Sequence, residues 1–400
     1  MVKCARLGPV LSMVLVAGAL AGCSGSLSTP DGDPSQPNAG AASSEAAVPQ
    51  VEVALSARGG AVPVDHTLEI TAASGSLRSV TVTAGDDVRL PGQLDATRVQ
   101  WTASGRLEPG LTYVARIRSE RSDGSVQRDV RRFSTEDLGL DRQTFPSIAP
   151  LAGETVGVGM PVIVSFDLPV ADKAAFERHM TVTSVPAQAG AWRWISDREA
   201  HWRPESYWLA ETAVSVDVDV NSLPAGNGIF GQESRHIDFK IGDAVISKVN
   251  ASTHQMRTFV NGKLVRTTPI TTGKAGFTTR SGVKVIIEKF RRKRMDSETV
   301  GIAEGNPEYY NINDVEYAMR VTYSGEFLHA APWSVGSQGS ANVSHGCTGM
   351  STANAAWIYN ISKRGDVVEY VGTDRPMTLE NGYGDWNLDF AEYGEGSAIS

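Results

Sequence analysis

The chain has 400 residues, 41% of them hydrophobic and 20% charged, with a formal net charge of −8. That length suits several domains, and the acidic balance argues against nucleic acid as a partner, which demands a basic face. Only three cysteines are present, too few for a disulfide framework to be read from their spacing.

The first predicted element is a leader, residues 1–23. Lys3 and Arg6 precede an apolar run from Leu7 to Leu20. Such a run is a secretory signal and too short to span, since about 20 apolar residues are needed to cross a bilayer. Its end, Leu20-Ala21-Gly22-Cys23, resembles the lipobox of bacterial lipoproteins. That resemblance implies a lipidated Cys23, a membrane anchor and an extracytoplasmic protein. Cys4 would leave with the leader, so Cys347 would be the one free thiol remaining. Residues 24–50 are rich in Ser, Gly, Ala, Pro and Asp. They cannot bury enough apolar surface to offset their ordering entropy, and they read as a disordered tether.

Residues 51–141 and 142–243 read as two β modules. Leu68-Glu69-Ile70-Thr71, Ser79-Val80-Thr81-Val82 and Tyr113-Val114-Ala115-Arg116-Ile117 alternate with the period of half-buried strands. Glu108 to Tyr113 has the form of the turn and tyrosine that enter a late strand of an immunoglobulin-like sandwich. In the second module Val162 to Phe166 is a predicted strand and Ala171 to His179 a short helical stretch. Trp192, Trp194, Trp202 and Trp208 crowd one part of it. They could stack on sugars, but alternation of Trp192 and Trp194 on one strand face favours core packing. Both modules read as spacers.

A third module, residues 244–372, opens with predicted strands at Val245–Val249 and Met256–Val260. Asn261-Gly262 then signals a tight hairpin into Lys263-Leu264-Val265. One stretch, Thr352 to Ser362, is predicted helical, with Ser351 as its N-cap and Ala353, Ala356, Trp357 and Ile361 as its apolar face. Near its end lies Ser344-His345-Gly346-Cys347, with His329 eighteen residues before the cysteine. A lone cysteine beside glycine, with a histidine available to take its proton, is the form of an activated sulfur nucleophile. No His-Glu-x-x-His or cysteine cluster points to a metal, and no cofactor is expected.

Phe327-Leu328-His329-Ala330-Ala331-Pro332-Trp333, fourteen further residues and Ser344-His345-Gly346-Cys347 resemble the signature of the L,D-transpeptidases. Ser351 to Trp357 and Arg364-Gly365-Asp366-Val367-Val368 resemble the segment that follows it. The fold implied is mainly β: two immunoglobulin-like sandwiches, then a β-rich catalytic domain with one or two short helices, and a C-terminal extension over 373–400. The resemblance makes Cys347 the nucleophile and His329 the base, with His345 holding the loop. Amides around His345, Gly346 and Cys347 become the oxyanion donors, with Tyr323 nearby. Substrate contacts are expected from Ser344, Thr348, Gly349, Met295 and Trp333.

The reaction implied joins peptidoglycan stem peptides. Cys347 attacks a donor tetrapeptide at diaminopimelate, D-alanine leaves, and the amine of a second stem resolves the thioester into a 3→3 cross-link. Acylation by β-lactams of the carbapenem type is a further expectation. Water as acceptor would make the protein an L,D-carboxypeptidase, and a drifted site would make it a non-catalytic wall-binding lipoprotein.

Glu288 to Arg320 corresponds to a lid over the cleft. It carries Lys289, Arg291, Arg292, Lys293 and Arg294, either a solvated hairpin face or a device that steers anionic stems. Two departures from the family stand out: Gly349 replaces a polar residue, and Thr278-Thr279-Arg280-Ser281-Gly282 replaces a Thr-Pro-x-Gly turn. Neither is expected to touch the nucleophile or the base. Trp386, Phe390 and Tyr393 are expected to pack the extension back onto the catalytic module, with its last residues frayed.

Overall fold

The computed structural model describes residues 49–57, 59–85 and 88–399. The leader, Cys23 and all but the end of the tether lie outside the described residues.

Alternating side chains build a first sandwich of two antiparallel-rich sheets. One holds Val53–Leu55, Glu69–Ala72, Gln100–Ala103 and Gly92–Leu94; the other holds Ala61–Val62, Val126–Thr135, Thr112–Glu120, Ser76–Ala84 and Val88–Leu90. Along Thr112–Glu120 every second residue from Tyr113 is buried, as a strand with one wet face requires. Tyr113 forms the expected corner. Its ring stacks on Phe133 at 5.1 Å, and its hydroxyl accepts from the Glu108 N–H at 2.7 Å.

The second sandwich sets Pro146–Ala149, Val162–Phe166, Glu199–Pro204 and Gly190–Trp194 against Thr155–Val156, Arg235–Ile241, Ala213–Val218 and Met180–Val185. A short helix, Lys173–Glu177, falls where the sequence places one. All four tryptophans are core. They are buried, Trp192 pairs across strands with Trp202, and Trp202 and Trp208 lie 5.3 Å apart. Their indole N–H groups are used internally, on Met180 O, Glu177 Oε2 and Met160 O for Trp192, Trp194 and Trp208. Sugar stacking therefore has no face to use.

In the third module a five-stranded sheet runs Lys263–Pro269, Gln255–Val260, Val245–Asn250, Val367–Val371, Gly282–Val285. A four-stranded sheet runs Glu288–Asp296, Asn311–Arg320, Phe327–Ala330, Thr348–Met350. Asn261 and Gly262 both take positive φ, the turn their dipeptide predicts. Helix Thr352–Ile361 is capped by Ser351, whose hydroxyl accepts from the Asn354 N–H at 3.3 Å. Its buried face differs from the expected one: Ala355 and Ile358 are buried and Ala353 is exposed. Trp357 lies instead beneath Arg266, 4.2 Å from the guanidinium. A partner outside the helix, not its own periodicity, chose the face.

The C-terminal extension also departs from expectation. It begins on the catalytic domain, where Asn387 bonds Val283, and then packs on the second sandwich. Arg203, buried in that sandwich, sits over Trp386, Phe390 and Tyr393 at 4.8, 5.4 and 4.4 Å. Near the end Glu177 accepts from the Ser397 hydroxyl and the Ala398 N–H. The extension is a strap with anchored ends, because cationic side chains on the sandwich, not apolar patches on the catalytic domain, provide its sockets.

Candidate active site

Two parallel strands place the chemistry. Phe327–Ala330 pairs with Thr348–Met350 so that His329 lies opposite Gly349, and Cys347 sits just before the second strand. Side chains alternate across a sheet, so Cys347, Gly349 and His329 share the cleft face while Leu328, Thr348, Ala330 and Met350 share the other. Burial agrees: those four are at most 2% exposed. Thr348 is therefore not a substrate contact. Its hydroxyl hydrogen-bonds Tyr370 at 2.8 Å behind the sheet.

His329 is buried, and its Nδ1–H donates to the Ala330 carbonyl at 2.8 Å. That bond fixes the tautomer and leaves the Nε2 lone pair as the basic atom. Burial holds its pKa below the usual histidine value. Trp333 stacks on the ring, centroids 5.9 Å apart, and is 57% exposed, so it walls the base on its solvent side.

Cys347 is a half-buried free thiol. Its Sγ lies 3.7 Å from the Gly325 carbonyl, and the Phe327 amide hydrogen-bonds to the sulfur. Burial pushes the thiol up to about 12, with Glu326 adding to that and Lys284 and Arg320 opposing it. The resting pair is thus neutral thiol and neutral imidazole, and proton transfer accompanies attack.

The loop before the thiol is braced from three sides. Ser344 Oγ donates to the Cys347 carbonyl at 2.6 Å and accepts from the Gly346 N–H at 3.1 Å. Ser344 is therefore a loop brace that also lines the cleft. Because the Gly346 amide is spent on Ser344, it is not an oxyanion donor, contrary to the sequence reading. Gly346 takes φ +123°, a conformation side-chain-bearing residues avoid. His345 Nε2 bonds Glu308 Oε2 at 2.7 Å, and its ring packs on Phe277 and Tyr310. It ties loop to lid and is not the base. The Thr279 hydroxyl donates to the Gly346 carbonyl at 2.8 Å. The departure at 278–282 thus does support the nucleophile, contrary to expectation.

Two cavities of about 270 Å³ each meet at Cys347. The first is lined by His329, Trp333, Ser344, Gly349 and Thr271. The second is lined by Tyr323, Gly325, Arg320, Lys293 and Arg294. Met295 and Tyr310 line both and divide them. Tyr310 was not singled out in the sequence; burial pushes its hydroxyl up to about 12, so it stays a proton donor. Its position in the lid, beside two other candidates, was the available signal.

At Gly349 the missing polar group has not left a hole. A Cβ there would lie 2.9 Å from Ala331 Cβ and 3.0 Å from Thr271 Cγ2. Thr271 and Gly349 exchange N–H···O bonds of 2.9 Å, closing the strand over the position. The basic strand is largely a paired face. Arg291 bonds Glu316, Arg294 bonds Asp296, and Lys289 donates to the carbonyls of Tyr359 and Ser362 at the C-terminus of helix Thr352–Ile361.

Comparison with known proteins agrees with this geometry. Residues 244–369 match the model of an L,D-transpeptidase catalytic domain, and residues 60–224 that of a bacterial Ig domain. The chain is 35% identical to L,D-transpeptidase 2 of Mycobacterium tuberculosis over 88% of its length and 85% of that protein's. It is 38% identical to L,D-transpeptidase 1 of the same species over 56% of its length and 84% of that protein's. A solved structure of the L,D-transpeptidase LdtMt1 in complex with imipenem superposes with a TM-score of 0.50 at 38% identity. That match covers 56% of this chain and 97% of the other.

Proposed function

The chain belongs to the L,D-transpeptidase family, and from that premise we infer that it cross-links peptidoglycan stem peptides 3→3 through a Cys347 thioester. The observation that carries the reading is a single thiol and a single neutral imidazole on one sheet face, at the meeting of two cavities.

His329 Nε2 takes the proton as Cys347 attacks the diaminopimelate carbonyl of a donor tetrapeptide, and returns it to the departing D-alanine amine. The same imidazole must then deprotonate the acceptor amine, so leaving and entering amines occupy the cavity that His329 lines. The donor stem lies in the other cavity, where Arg320, Lys293 and Arg294 suit its carboxylates. The Cys347 amide and the Tyr310 hydroxyl are the donors to the oxyanion. Two cavities rather than one favour an amine acceptor over water, and hence transpeptidation over carboxypeptidation.

Carbapenem acylation of Cys347 belongs to the same reading, supported by the imipenem complex of a relative. So does lipid anchoring through Cys23 on the outer face of the membrane, supported by the lipobox-like Leu20-Ala21-Gly22-Cys23.

Incubation with a disaccharide-tetrapeptide, read by mass spectrometry, tests the proposal. A 3→3 dimer that disappears in Cys347→Ala is expected. D-Alanine release without dimer would replace transpeptidation by carboxypeptidation, and no Cys347-dependent product would sink both.

A further inference from the structure

Beneath the nucleophile loop, away from both cavities, lies a charge cluster that the reaction above leaves unused. Lys284 is fully buried, and its Nζ donates to Glu326 Oε2 at 2.5 Å. Glu326 Oε1 accepts from Arg280 Nη1 at 2.8 Å and from the Arg280 backbone N–H at 3.2 Å. Removing an ammonium from water costs several kcal/mol even after relaxation, so a lysine with no exposure demands a reason. Two cations share one carboxylate, and the cluster carries a net positive charge when all three are ionised.

Its contacts converge on Cys347. Glu326 Cγ lies 3.7 Å from where a side chain at Gly346 would begin. The Lys284 ammonium rests 3.7 Å from the centre of the Tyr370 ring, whose hydroxyl bonds Thr348. Both neighbours of the nucleophile therefore stand on the cluster. Glu326 is also flanked in sequence by the two groups that meet the sulfur, the Gly325 carbonyl and the Phe327 amide. Turn residue Thr279, next to Arg280, holds the Gly346 carbonyl.

We infer that Lys284 is a positioning cation for the nucleophile: with Arg280 it holds positive charge under Cys347 that stabilises the forming thiolate, while Glu326 moderates that charge and fixes the loop. Burial lowers the Lys284 pKa to about 8 against the opposing pull of Glu326, which leaves it mainly ammonium at neutral pH. Other groups face the thiol as well: His329 from the adjoining strand, Arg320 and Tyr310 from the lid hairpin, and Tyr370 from below. All of these stay unchanged in the variants below, so differences report the cluster.

The inference rests on Cys347 being the nucleophile, but its test reads the thiol and not the cross-link. Iodoacetamide alkylation of the full chain is followed against pH on the Cys347 peptide by mass spectrometry. Lys284→Met keeps the Arg280–Glu326 pair and removes the extra charge. The apparent thiol pKa is expected to rise by about one unit, slowing alkylation at neutral pH about tenfold. Glu326→Gln leaves both cations and is expected to shift the pKa down by a similar amount. Both variants disturb the same packing, so opposite signs are an outcome that a purely structural role does not produce.

Shifts in one direction, or no shift in Lys284→Met, overturn the inference. Should Glu326→Gln not fold, Lys284→Arg takes its place. Recovery of the wild-type profile with charge restored supports the cation, and a profile like that of Lys284→Met overturns it. Opposite shifts without any cross-linked product would keep the inference and discard the transpeptidase reading.

Discussion

Between the first and second sandwiches the contacts are polar and partly exposed. Arg106 reaches Asp219 and the Asn221 carbonyl, Glu108 accepts from the Asn221 amide, and one small apolar cluster joins Val64, Leu138 and Phe230. Between the second sandwich and the catalytic domain there is no comparable seam. One hydrophobic cluster runs from Val164, Phe176 and Trp202 to Val285, Ile287, Val367 and Tyr383. Gly157 and Gly159 N–H groups bond the carbonyls of Arg364 and Gly365, and Arg364 pairs with Glu154 through two bonds of 3.0 and 2.7 Å. The second sandwich is thus part of the catalytic scaffold. The first is a spacer, since small polar interfaces leave domains free to move by default.

Removing the strap should have the largest effect. Deleting residues 385–400 strips Asp385 from the buried His201 and three aromatic rings from Arg203. Uncovering buried charges in this way costs about 3–5 kcal/mol. Calorimetry should show the transition of second sandwich plus catalytic domain falling steeply, with the first sandwich's transition in place. Equal loss in both would show that the two junctions are energetically alike.

A subtler break uses pH. His201 Nδ1 and Nε2 donate to Asp385 Oδ1 at 2.9 Å and Glu199 Oε1 at 3.1 Å. Burial alone would lower its pKa, but the two carboxylates outweigh it and raise it to about 9. Because the folded value lies above the unfolded one, the stabilisation is complete below about pH 6.5 and is lost as pH climbs through 9. Asp385 has the opposite sign: hydrogen bonds from His201 and Tyr393 outweigh its burial and depress its pKa, so its contribution fades in acid. The loss between pH 6.5 and 9 is at most about 3 kcal/mol. Thermal unfolding of His201→Gln should lack that slope. An identical slope in the mutant would assign it elsewhere.

This junction marks where the sequence stops being readable. Strands, the Asn261-Gly262 turn, the Tyr113 corner and the Cys347–His329 pairing follow from local pattern, because each is set by residues close together or by one sheet period. Thr348 was equally legible, since one step from Cys347 along a strand must turn to the other face, and the expectation of a substrate contact ignored that. Lys284 was not. In Gly282–Val285 a lysine between two valines reads as the wet position of an edge strand, and only Glu326, forty-two residues later, makes it buried. The strap's sockets on Arg193 and Arg203 are set by residues almost two hundred positions away, beyond any local period.

The smallest predicted effect tests the other half of the comparison. Arg106→Ala removes the bonds to Asp219 and Asn221 at the first junction, where Asp219 is well exposed. An exposed ion pair is worth about 0.2–1 kcal/mol, so unfolding temperatures should hardly move. What should change is freedom: small-angle scattering of the soluble chain should report a broader range of sizes, while Cys347 acylation stays within about twofold because no shared core is disturbed. Slower acylation in Arg106→Ala at unchanged stability would mean that the first sandwich positions substrate. The spacer reading would then fail, even though the seam that suggested it is real.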